Sequence, residues 1–469
     1  MTTTMKIKTL ILSCAASISV LTACTDFDAI NKDPDKLETV NPGTMLDPVL
    51  YDMGIYNWQR YNSFTGELMQ YSSSSSSGGY SRYYFTESVG TGVWSNYYTC
   101  LSNIREIKKQ AIAYNVPNYQ AIALTLEGWV MQMLADTFGD VPYSEACRAE
   151  EGITKPKFDS QEDIYAGIIE GLKQANDLYD ESTTLTYNTS GELLYGSNVT
   201  KWHKFCNSIL LRVLLRAGRT DELKTVLENP DMYPVFESNE DAALLAISGT
   251  YPQEGPVTRL QDFYIARSAT KFFIDNLNAW GDPRVELFTT VNDEGIYIGV
   301  PSGYETAPDY SVSGLNVAIA TAPMKINLMS YAEVEFIRAE AAQRGIISSS
   351  EAAEAYHNGV QAAIEQWDLE VPTGYFDNPD VAYDGTLERI MLQKYYSLFF
   401  CDQQQWFEYM RTGLPAIPRG DGVPDGYEMP HRLIYPTSLQ RSNMTGYQAA
   451  VEHMGGDDYD IRLFWQKEN

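Results

Sequence analysis

The sequence feature that most constrains the fold is the apolar pattern of residues 119–138, YQAIALTLEGWVMQMLADTF. Its apolar residues recur at the three- and four-residue spacing that places side chains on one face of an α-helix. This face contains Ile122, Leu126, Trp129 and Met133, and it is widened by Val130, Leu134 and Phe138. Similar stripes at 159–179 and 201–217 predict further buried helices, so we expect a mostly helical chain from about residue 46.

Capping boxes predict where two later helices begin. Ser330 precedes Glu333 by three residues, and Ser348 precedes Glu351 by the same spacing. In this motif the serine hydroxyl accepts a hydrogen bond from a free backbone N–H of the first helical turn. Gly345 lies between the two boxes and is a typical helix stop. The pattern therefore predicts a helical hairpin.

Helix pairs of this length favour tetratricopeptide-like units, although the 34-residue consensus is not written out clearly. A further pair is predicted at about 386–399 and 402–411, and strands only at 296–300 and 287–291. Long stretches rich in Gly, Ser, Pro and Tyr interrupt the helices at 71–98, 181–200, 240–262, 290–323 and 413–448. Loops of this length inside a compact domain usually carry function.

Residues 1–23 have the pattern of a secretory signal peptide. Lys6 and Lys8 are followed by a run without charge from Thr9 to Leu21, which is shorter than the ~20 apolar residues of a membrane span. Leu21-Thr22-Ala23-Cys24 resembles a bacterial lipobox, in which the signal is cut before the cysteine and the cysteine is acylated. The resemblance predicts Cys24 as a lipidated first residue of the mature chain; ordinary cleavage nearby is the alternative.

The segment after Cys24 predicts a tether. Residues 24–45 are polar, charged and broken by two prolines. Asp26 and Asp28 resemble the surface-export signal of Bacteroidetes lipoproteins, which implies the outer face of the outer membrane. The alternation of Asn31, Asp33 and Asp35 lacks the glycine and the terminal glutamate of a calcium loop, so no metal or cofactor is predicted.

Charge and cysteine content exclude several classes of protein. The chain has 62 acidic and 34 basic residues and a net charge of −28, which rules out binding nucleic acid through phosphate neutralisation. Four cysteines remain beyond Cys24, and they are scattered without a C-x-x-C pair: Cys100, Cys147, Cys206 and Cys401. We expect four buried free thiols, with one long-range disulfide as the alternative.

The sequence contains no catalytic motif. Its four histidines form no H-E-x-x-H, and G-x-S-x-G, the P-loop and G-x-G-x-x-G are all missing. We therefore predict a protein that is not an enzyme. A surface glycosidase stays an alternative, because 62 acidic residues bring some carboxylate pair together in any fold.

Aromatic residues are concentrated in one early segment. Residues 51–98 contain 13 Phe, Tyr and Trp among 48, where the chain average of 12% would give ~6. Sugars bind by laying their apolar C–H faces on aromatic rings while neighbouring polar groups read the hydroxyls. The excess therefore favours a carbohydrate-binding surface, with core packing as the alternative for any single ring.

Several longer motifs resemble the SusD/RagB family of nutrient-binding outer-membrane lipoproteins, in its SusD-like subfamily. They are DTFGDVPYSEA (136–146), SYAEVEFIRAEAAQRG (330–345), QQWFEYMRTGLPAI (404–417), RLIYPTSLQRSN (432–443) and GGDDYDIRLFWQ (455–466). The resemblance implies a mostly α-helical fold, with four tetratricopeptide-like helix pairs, irregular loops and few short strands, as a single domain over 46–469. It also implies a lid on a SusC-like TonB-dependent transporter that hands over oligosaccharides or, in some members, peptides. A lid that binds no ligand is a further alternative.

The predicted ligand site lies on the 71–98 region. The stacking platforms are Tyr80, Tyr83, Tyr84 and Trp94, and the hydroxyl-reading residues are Arg82 and Asn96. The family resemblance supports Trp94 and Asn96 through the segment VWSNYY (93–98), although Trp94 is equally suited to the core at a helix start. The next candidate is the 290–323 loop, with Tyr297, Tyr304 and Tyr310.

Overall fold

The structure is a computed structural model that describes residues 40–74, 79–264 and 267–466. The predicted signal peptide, the lipidation site at Cys24 and most of the predicted tether lie outside the described residues. Asn41 to Asn469 form one compact unit. Within the described ranges, no helix is both long enough and apolar enough to cross a membrane.

Helices form most of the molecule, as predicted. In chain order they are α1 (Pro42–Arg60), α2 (Thr91–Ala113), α3 (Pro117–Phe138), α4 (Gln161–Leu178), α5 (Val199–Arg216), α6 (Thr220–Glu228), α7 (Leu260–Tyr264), α8 (Lys271–Trp280), α9 (Arg284–Phe288), α10 (Tyr331–Gln343), α11 (Ala352–Glu365), α12 (Leu387–Ser397), α13 (Gln404–Thr412), α14 (Leu439–Ser442) and α15 (Met444–Met454). A π-helical turn and the short helix Gly66–Leu68 extend α1. The predicted pair at 386–411 is confirmed as α12 and α13.

Helix α3 is the centre of the N-terminal half of the unit. Pro117 occupies its first turn, where the missing N–H costs no hydrogen bond, and Gly139 ends it with a φ of +88°. Every residue from Ala121 to Phe138 is buried, since α2, α4 and α5 all pack against this helix. The prediction of a buried helix is confirmed.

The serine cap of the first predicted capping box is present, whereas its Glu333 carboxylate bonds Arg212 and the second box is absent. The Ser330 hydroxyl accepts the Glu333 N–H at 3.2 Å, and Gly345 follows α10 with a φ of +73°. Ser348 instead contacts the hydroxyl of Ser350, two residues on, at 2.8 Å, and a 3₁₀ turn precedes α11. The predicted hairpin is confirmed, because α10 and α11 pack against each other.

The strands lie elsewhere than predicted. They form two antiparallel pairs: β1 (Ser72–Ser74) with β3 (Arg267–Ala269), and β2 (Ala243–Ile247) with β4 (Met324–Met329). The predicted strands at 296–300 and 287–291 are wrong, since each makes one isolated bridge, Val300 with Thr270 and Thr289 with Leu315. Leu287 and Phe288 instead end α9, Val291 and Ile296 are exposed, and Val300 is buried.

Buried charges join the helices. On α5, Arg212 pairs with Glu333 at 2.6 Å, and Arg216 pairs with Asp136 at 2.6 Å and with Glu408 at 2.9 Å. All of these side chains are at most 5% exposed. Burial opposes the charge of Arg216, but Asp136 and Glu408 outweigh burial and raise its pKa. Helix α5 therefore buries Arg212 and Arg216 in addition to its apolar stripe.

Three of the four cysteines behave as predicted. Cys100, Cys206 and Cys401 are buried free thiols, whereas Cys147 is free but exposed. The prediction of burial is thus wrong for Cys147, because it lies in the loop after α3 with a φ of +56°.

Candidate functional site

Three loops meet at one surface, which we call the three-loop surface: 79–85, 302–305 and 419–428. Gly422 donates its N–H to the Gly303 carbonyl at 2.8 Å. A Cβ on Gly422 would lie 2.6 Å from backbone atoms of Tyr304, so only glycine permits this approach. Arg82 of the first loop also donates to the Tyr304 carbonyl, so the two regions proposed as alternative sites from the sequence, 71–98 and 290–323, contribute to the same surface.

Arg82 fastens the first loop to the second. Its guanidinium donates to the carbonyl of Tyr304 and, at 3.2 Å, to the carbonyl of Glu305. The Glu305 N–H in turn donates to the Asp421 carboxylate at 2.9 Å. Arg82 thus helps to set the loop geometry, and its predicted role as a hydroxyl reader stays a prediction.

Tyr83 and Tyr84 point to different environments. Tyr83 has a left-handed backbone, with φ +60° and ψ +32°, and its ring is only 9% exposed. The Arg419 guanidinium lies 6.0 Å from the centre of that ring. Burial raises the Tyr83 pKa to about 12; Tyr409 and Glu428 add to the rise and Arg419 opposes it. Tyr83 is therefore an uncharged supporting ring.

Tyr84 forms an exposed aromatic pair with Tyr427. The ring centres are 5.2 Å apart, the planes meet at 61°, and the residues are 38% and 41% exposed. An exposed pair held by two different loops offers a ligand both a ring face and a ring edge. Tyr427 was not singled out by the sequence analysis. It lies in the Gly- and Pro-rich stretch 413–448, and the composition of that stretch was the one indication that the residue is in a functional loop.

Tyr80 packs inward. Its ring centre lies 4.8 Å from that of Phe64 and 5.9 Å from that of Phe85. Both partners belong to the core or pack against it. Tyr80 therefore packs the 79–85 loop against the core.

Trp94 and Asn96 lie on helix α2 and not in the loop. The Trp94 ring packs among Tyr98, Phe138 and Phe158, at 4.9, 5.3 and 6.0 Å between centres, beside a cavity of about 160 Å³. Asn96 is exposed, donates to the Gly92 carbonyl at 2.9 Å and lines a different cavity, of about 300 Å³. The structure thus separates these two residues from each other, and their ligand roles stay predictions.

The tyrosines of the 290–323 loop are also spread out. Tyr304 belongs to the three-loop surface, and Tyr310 is 40% exposed. Tyr297 lies beside α8, where its carbonyl accepts a hydrogen bond from Asn278 at 3.0 Å. Only Tyr304 is therefore shown to lie with the 79–85 loop.

A cavity of about 760 Å³ shares Glu428 with the three-loop surface. Its aromatic lining residues are Tyr409, Phe464 and Trp465, and its charged or titratable ones include Arg344, Glu428, His431 and Arg462. Burial lowers the His431 pKa, and Arg462 lowers it further, so this imidazole is neutral at pH 7. Such a lining can hold a polar ligand against aromatic rings.

The part of the chain that the structure describes contains no cluster of metal-binding side chains. No group of three His, Cys, Asp or Glu side chains there is placed to hold an ion. Among the described residues, Glu428 is the single carboxylate residue that lines the 760 Å³ cavity, whereas glycoside hydrolysis requires a pair.

A comparison with known protein families identifies the family of this chain. A family model described as starch-binding associating with outer membrane, SusD-like, matches residues 34–436. The chain belongs to the SusD-like family. The family description associates its members with the outer membrane. A search of curated proteins gave no match.

Solved structures of similar proteins have the same fold over about nine-tenths of this chain. A chitin-binding protein is 26% identical, with a TM-score of 0.78 over 91% of this chain and 100% of that chain. A SusD homolog from Bacteroides fragilis is 23% identical, with a TM-score of 0.78 over 92% and 100%. A chitin-binding SusD homolog from Flavobacterium johnsoniae is 20% identical, with a TM-score of 0.78 over 91% and 99%. The predicted SusD-like helical fold is confirmed.

The motifs that indicated the SusD-like family hold the scaffold together. Asp140 of the FGDVPY segment accepts the Gln161 N–H at 2.9 Å and contacts His453 at 2.6 Å. Arg411 of the RTG segment pairs with Glu340 at 2.7 Å and with Glu408 at 2.6 Å. These residues are therefore a signature of the fold and do not indicate which ligand binds.

Proposed function

We propose that this SusD-like protein is a surface lipoprotein that binds a nutrient oligosaccharide and delivers it to a SusC-like TonB-dependent outer-membrane transporter. The observation that carries the proposal is the exposed Tyr84–Tyr427 pair on the three-loop surface. The family description and the chitin-binding relative support a glycan as the ligand class.

The chemistry of the three-loop surface suits a sugar. The C–H face of a pyranose packs on a tyrosine ring, while carboxylates and guanidinium groups at the edge accept and donate hydrogen bonds to hydroxyls. Asp421, Glu305 and Arg419 are exposed on the same three-loop surface and supply such groups. Arg419 also pairs with Glu428 at 3.3 Å, but the three loops together contain four carboxylates and only two arginines, so the surface is acidic overall. A neutral glycan fits this surface better than a polyanion.

The lipid anchor at Cys24 holds the protein at the membrane in this proposal. One acyl chain binds a bilayer only marginally, and each further buried CH₂ adds ~0.8 kcal/mol, so a triacylated cysteine is a permanent anchor. The net charge of −28 disfavours direct adsorption to anionic lipid. In this proposal the lipid therefore keeps the protein at the membrane that also contains the transporter.

Calorimetric titration tests the ligand class. The Cys24→Ala protein is titrated with maltooligosaccharides, chitooligosaccharides and a set of unrelated neutral peptides. We expect saturable binding to at least one oligosaccharide and none to the peptides. Binding to peptides alone would replace the glycan proposal with the peptide alternative, and release of reducing ends from a bound glycan would favour the glycosidase.

A further inference from the structure

We infer a second sugar subsite in a cavity of about 270 Å³ beside the β2–β4 pair and the end of α11. It is distinct from the three-loop surface, and the residues that define it are Leu244, Lys325, Asn327, Gln366, Trp367 and Asp368. The choice of a sugar rests on the proposed function, whereas the site itself rests on the observations that follow.

Three lining residues carry buried polar groups without a protein partner. Asn327 is 4% exposed, and neither the nitrogen nor the oxygen of its amide has one. The same is true of Oε1 of Gln366, which is 7% exposed, and of the Trp367 indole nitrogen. Buried polar groups are normally paired, because an unpaired one costs roughly 1–3 kcal/mol. A ligand with several hydroxyls would supply donors and acceptors to these groups when the side chains turn toward the cavity.

The backbone around the cavity is irregular in two independent places. Asn327 pairs with Leu244, where the β2–β4 register shifts between Ala243 and Leu244. Bulges of this kind recur next to binding sites because they re-aim a side chain. Asp368, directly after Trp367, has a φ of +60°, which is a strained conformation for a residue other than glycine. Both irregularities border the same cavity.

The walls select for a neutral ring of modest size. Ile319, Pro323 and Met324 are apolar, and Trp367 adds an aromatic ring held by Phe288 at 5.0 Å between centres. Lys325 and Asp368 lie 3.6 Å apart and balance each other's charge. The volume is below the roughly 300–1,000 Å³ of sites for drug-sized ligands. One pyranose unit, and not an extended chain, therefore fits.

The test reads the cavity directly through the Trp367 indole N–H signal in ¹⁵N-correlated NMR spectra of the Cys24→Ala protein. The signal is assigned as the one missing in the Trp367→Phe variant. Titration with glucose and with N-acetylglucosamine should shift it saturably for at least one sugar. Absence of any shift with either sugar overturns the subsite.

Variants separate this subsite from the proposed function. Asn327→Leu should weaken the sugar affinity measured from the Trp367 shift at least tenfold. The protein should stay folded, because an unpaired buried amide is replaced by an apolar group of similar size. Gln366→Leu is the second variant should the first fail to fold. Tyr427→Ala, on the three-loop surface, should leave the shift unchanged. An unaltered shift in both leucine variants overturns the subsite, whereas failure of oligosaccharide binding with the shift intact overturns only the proposed function.

Discussion

At the scale of single residues, Tyr427 illustrates how a ligand surface is assembled from distant parts of the chain. Its partner Tyr84 is 343 positions earlier, and the Gly422–Gly303 contact brings the loop of Tyr427 against the second loop of the surface. Each ring alone would be an ordinary exposed tyrosine. Together they form the platform on which the proposed glycan stacks.

Loss of one platform ring should weaken glycan binding. Truncating a stacked ring costs about 1–3 kcal/mol, so Tyr427→Ala or Tyr84→Ala should reduce affinity roughly tenfold for the oligosaccharide that binds best. Calorimetry measures the change. Tyr114→Ala is the matched control, since Tyr114 and Tyr187 form another exposed pair, 39% and 38% exposed, with ring centres 5.8 Å apart. Equal losses in the control and in the platform variants would contradict the site.

Asp402 is a buried carboxyl that makes stability depend on pH. Burial raises its pKa from 3.8 to about 7, with Arg212 opposing the rise and Glu333 adding to it. One carboxylate oxygen accepts the Gln404 N–H at 2.9 Å, and the other has no protein partner. Between pH 4 and 7 the folded state keeps this proton while the unfolded state has lost it. The contribution of Asp402 to stability therefore falls as pH rises through this window.

The Asp402→Asn variant should remove that pH dependence. It should match the wild type near pH 4 and exceed it by roughly 2–4 kcal/mol at pH 8, because the variant has no charge to bury. Thermal and urea unfolding at pH 4, 6 and 8 measure the difference. Asp425→Asn, at an exposed position, serves as the control. A variant that is less stable than the wild type at pH 8 would show that Asp402 is needed as an anion.

At the scale of helices, Glu408 connects three cations from three elements. It contacts Arg216 of α5 at 2.9 Å, Lys394 of α12 at 2.7 Å and Arg411 of its own helix at 2.6 Å. Burial alone would raise the Glu408 pKa, but the three cations hold it well below its usual value. The packing of α5, α12 and α13 thus depends on one charge.

Neutralising Glu408 should destabilise this helix packing strongly. Glu408→Gln keeps the volume and leaves buried cations without a shared anion, for which we expect a loss of about 3–5 kcal/mol. The partly exposed pairs of Glu222 with Lys173 and Arg219 provide the control, since Glu222→Gln should cost at most ~1 kcal/mol. Urea unfolding followed by circular dichroism compares the two. Similar losses for both variants would refute the role of the buried cluster.

At the scale of the whole molecule, the proposed function gives ligand binding to the described part and membrane attachment to the predicted anchor. The compact unit carries the three-loop surface, and no helix in the described ranges is suited to cross a bilayer. The proposed function assigns attachment to Cys24 and inward transport to a separate TonB-dependent transporter.

Cys24→Ala should release the protein from the membrane. In cells that lack the partner transporter, we expect the variant in a soluble fraction and the wild type with the outer membrane, because the lipid is the proposed attachment. Immunoblotting of the fractions gives the answer. In cells with the transporter, mild-detergent pull-down of the wild type should recover a TonB-dependent partner in near-equal amounts. Membrane retention of the variant, or recovery of the wild type alone after crosslinking, would contradict the respective assignment.

Local patterns in the sequence determined most of the scaffold. The apolar period of 119–138 predicts α3, and Ser330 with Gly345 predicts both ends of α10, because these signals depend on residues within one or two helical turns. The motif resemblance predicted the SusD-like family, which the family comparison confirms. The predicted short strands were wrong, since a run of five residues is too short to distinguish a strand from a loop or the end of a helix.

The tertiary structure alone decided the composition of the candidate site and the fate of buried charges. Tyr83 and Tyr84 are adjacent in sequence, but a left-handed backbone and Arg419 bury one while Tyr427 accompanies the other at the surface. Arg216 is likewise buried because Asp136 and Glu408, 80 and 192 positions away, neutralise it. The sequence by itself determines which segments are helical, since that depends on neighbours along the chain. Which side chains meet depends on contacts between distant segments, and a single sequence carries no local signal for them.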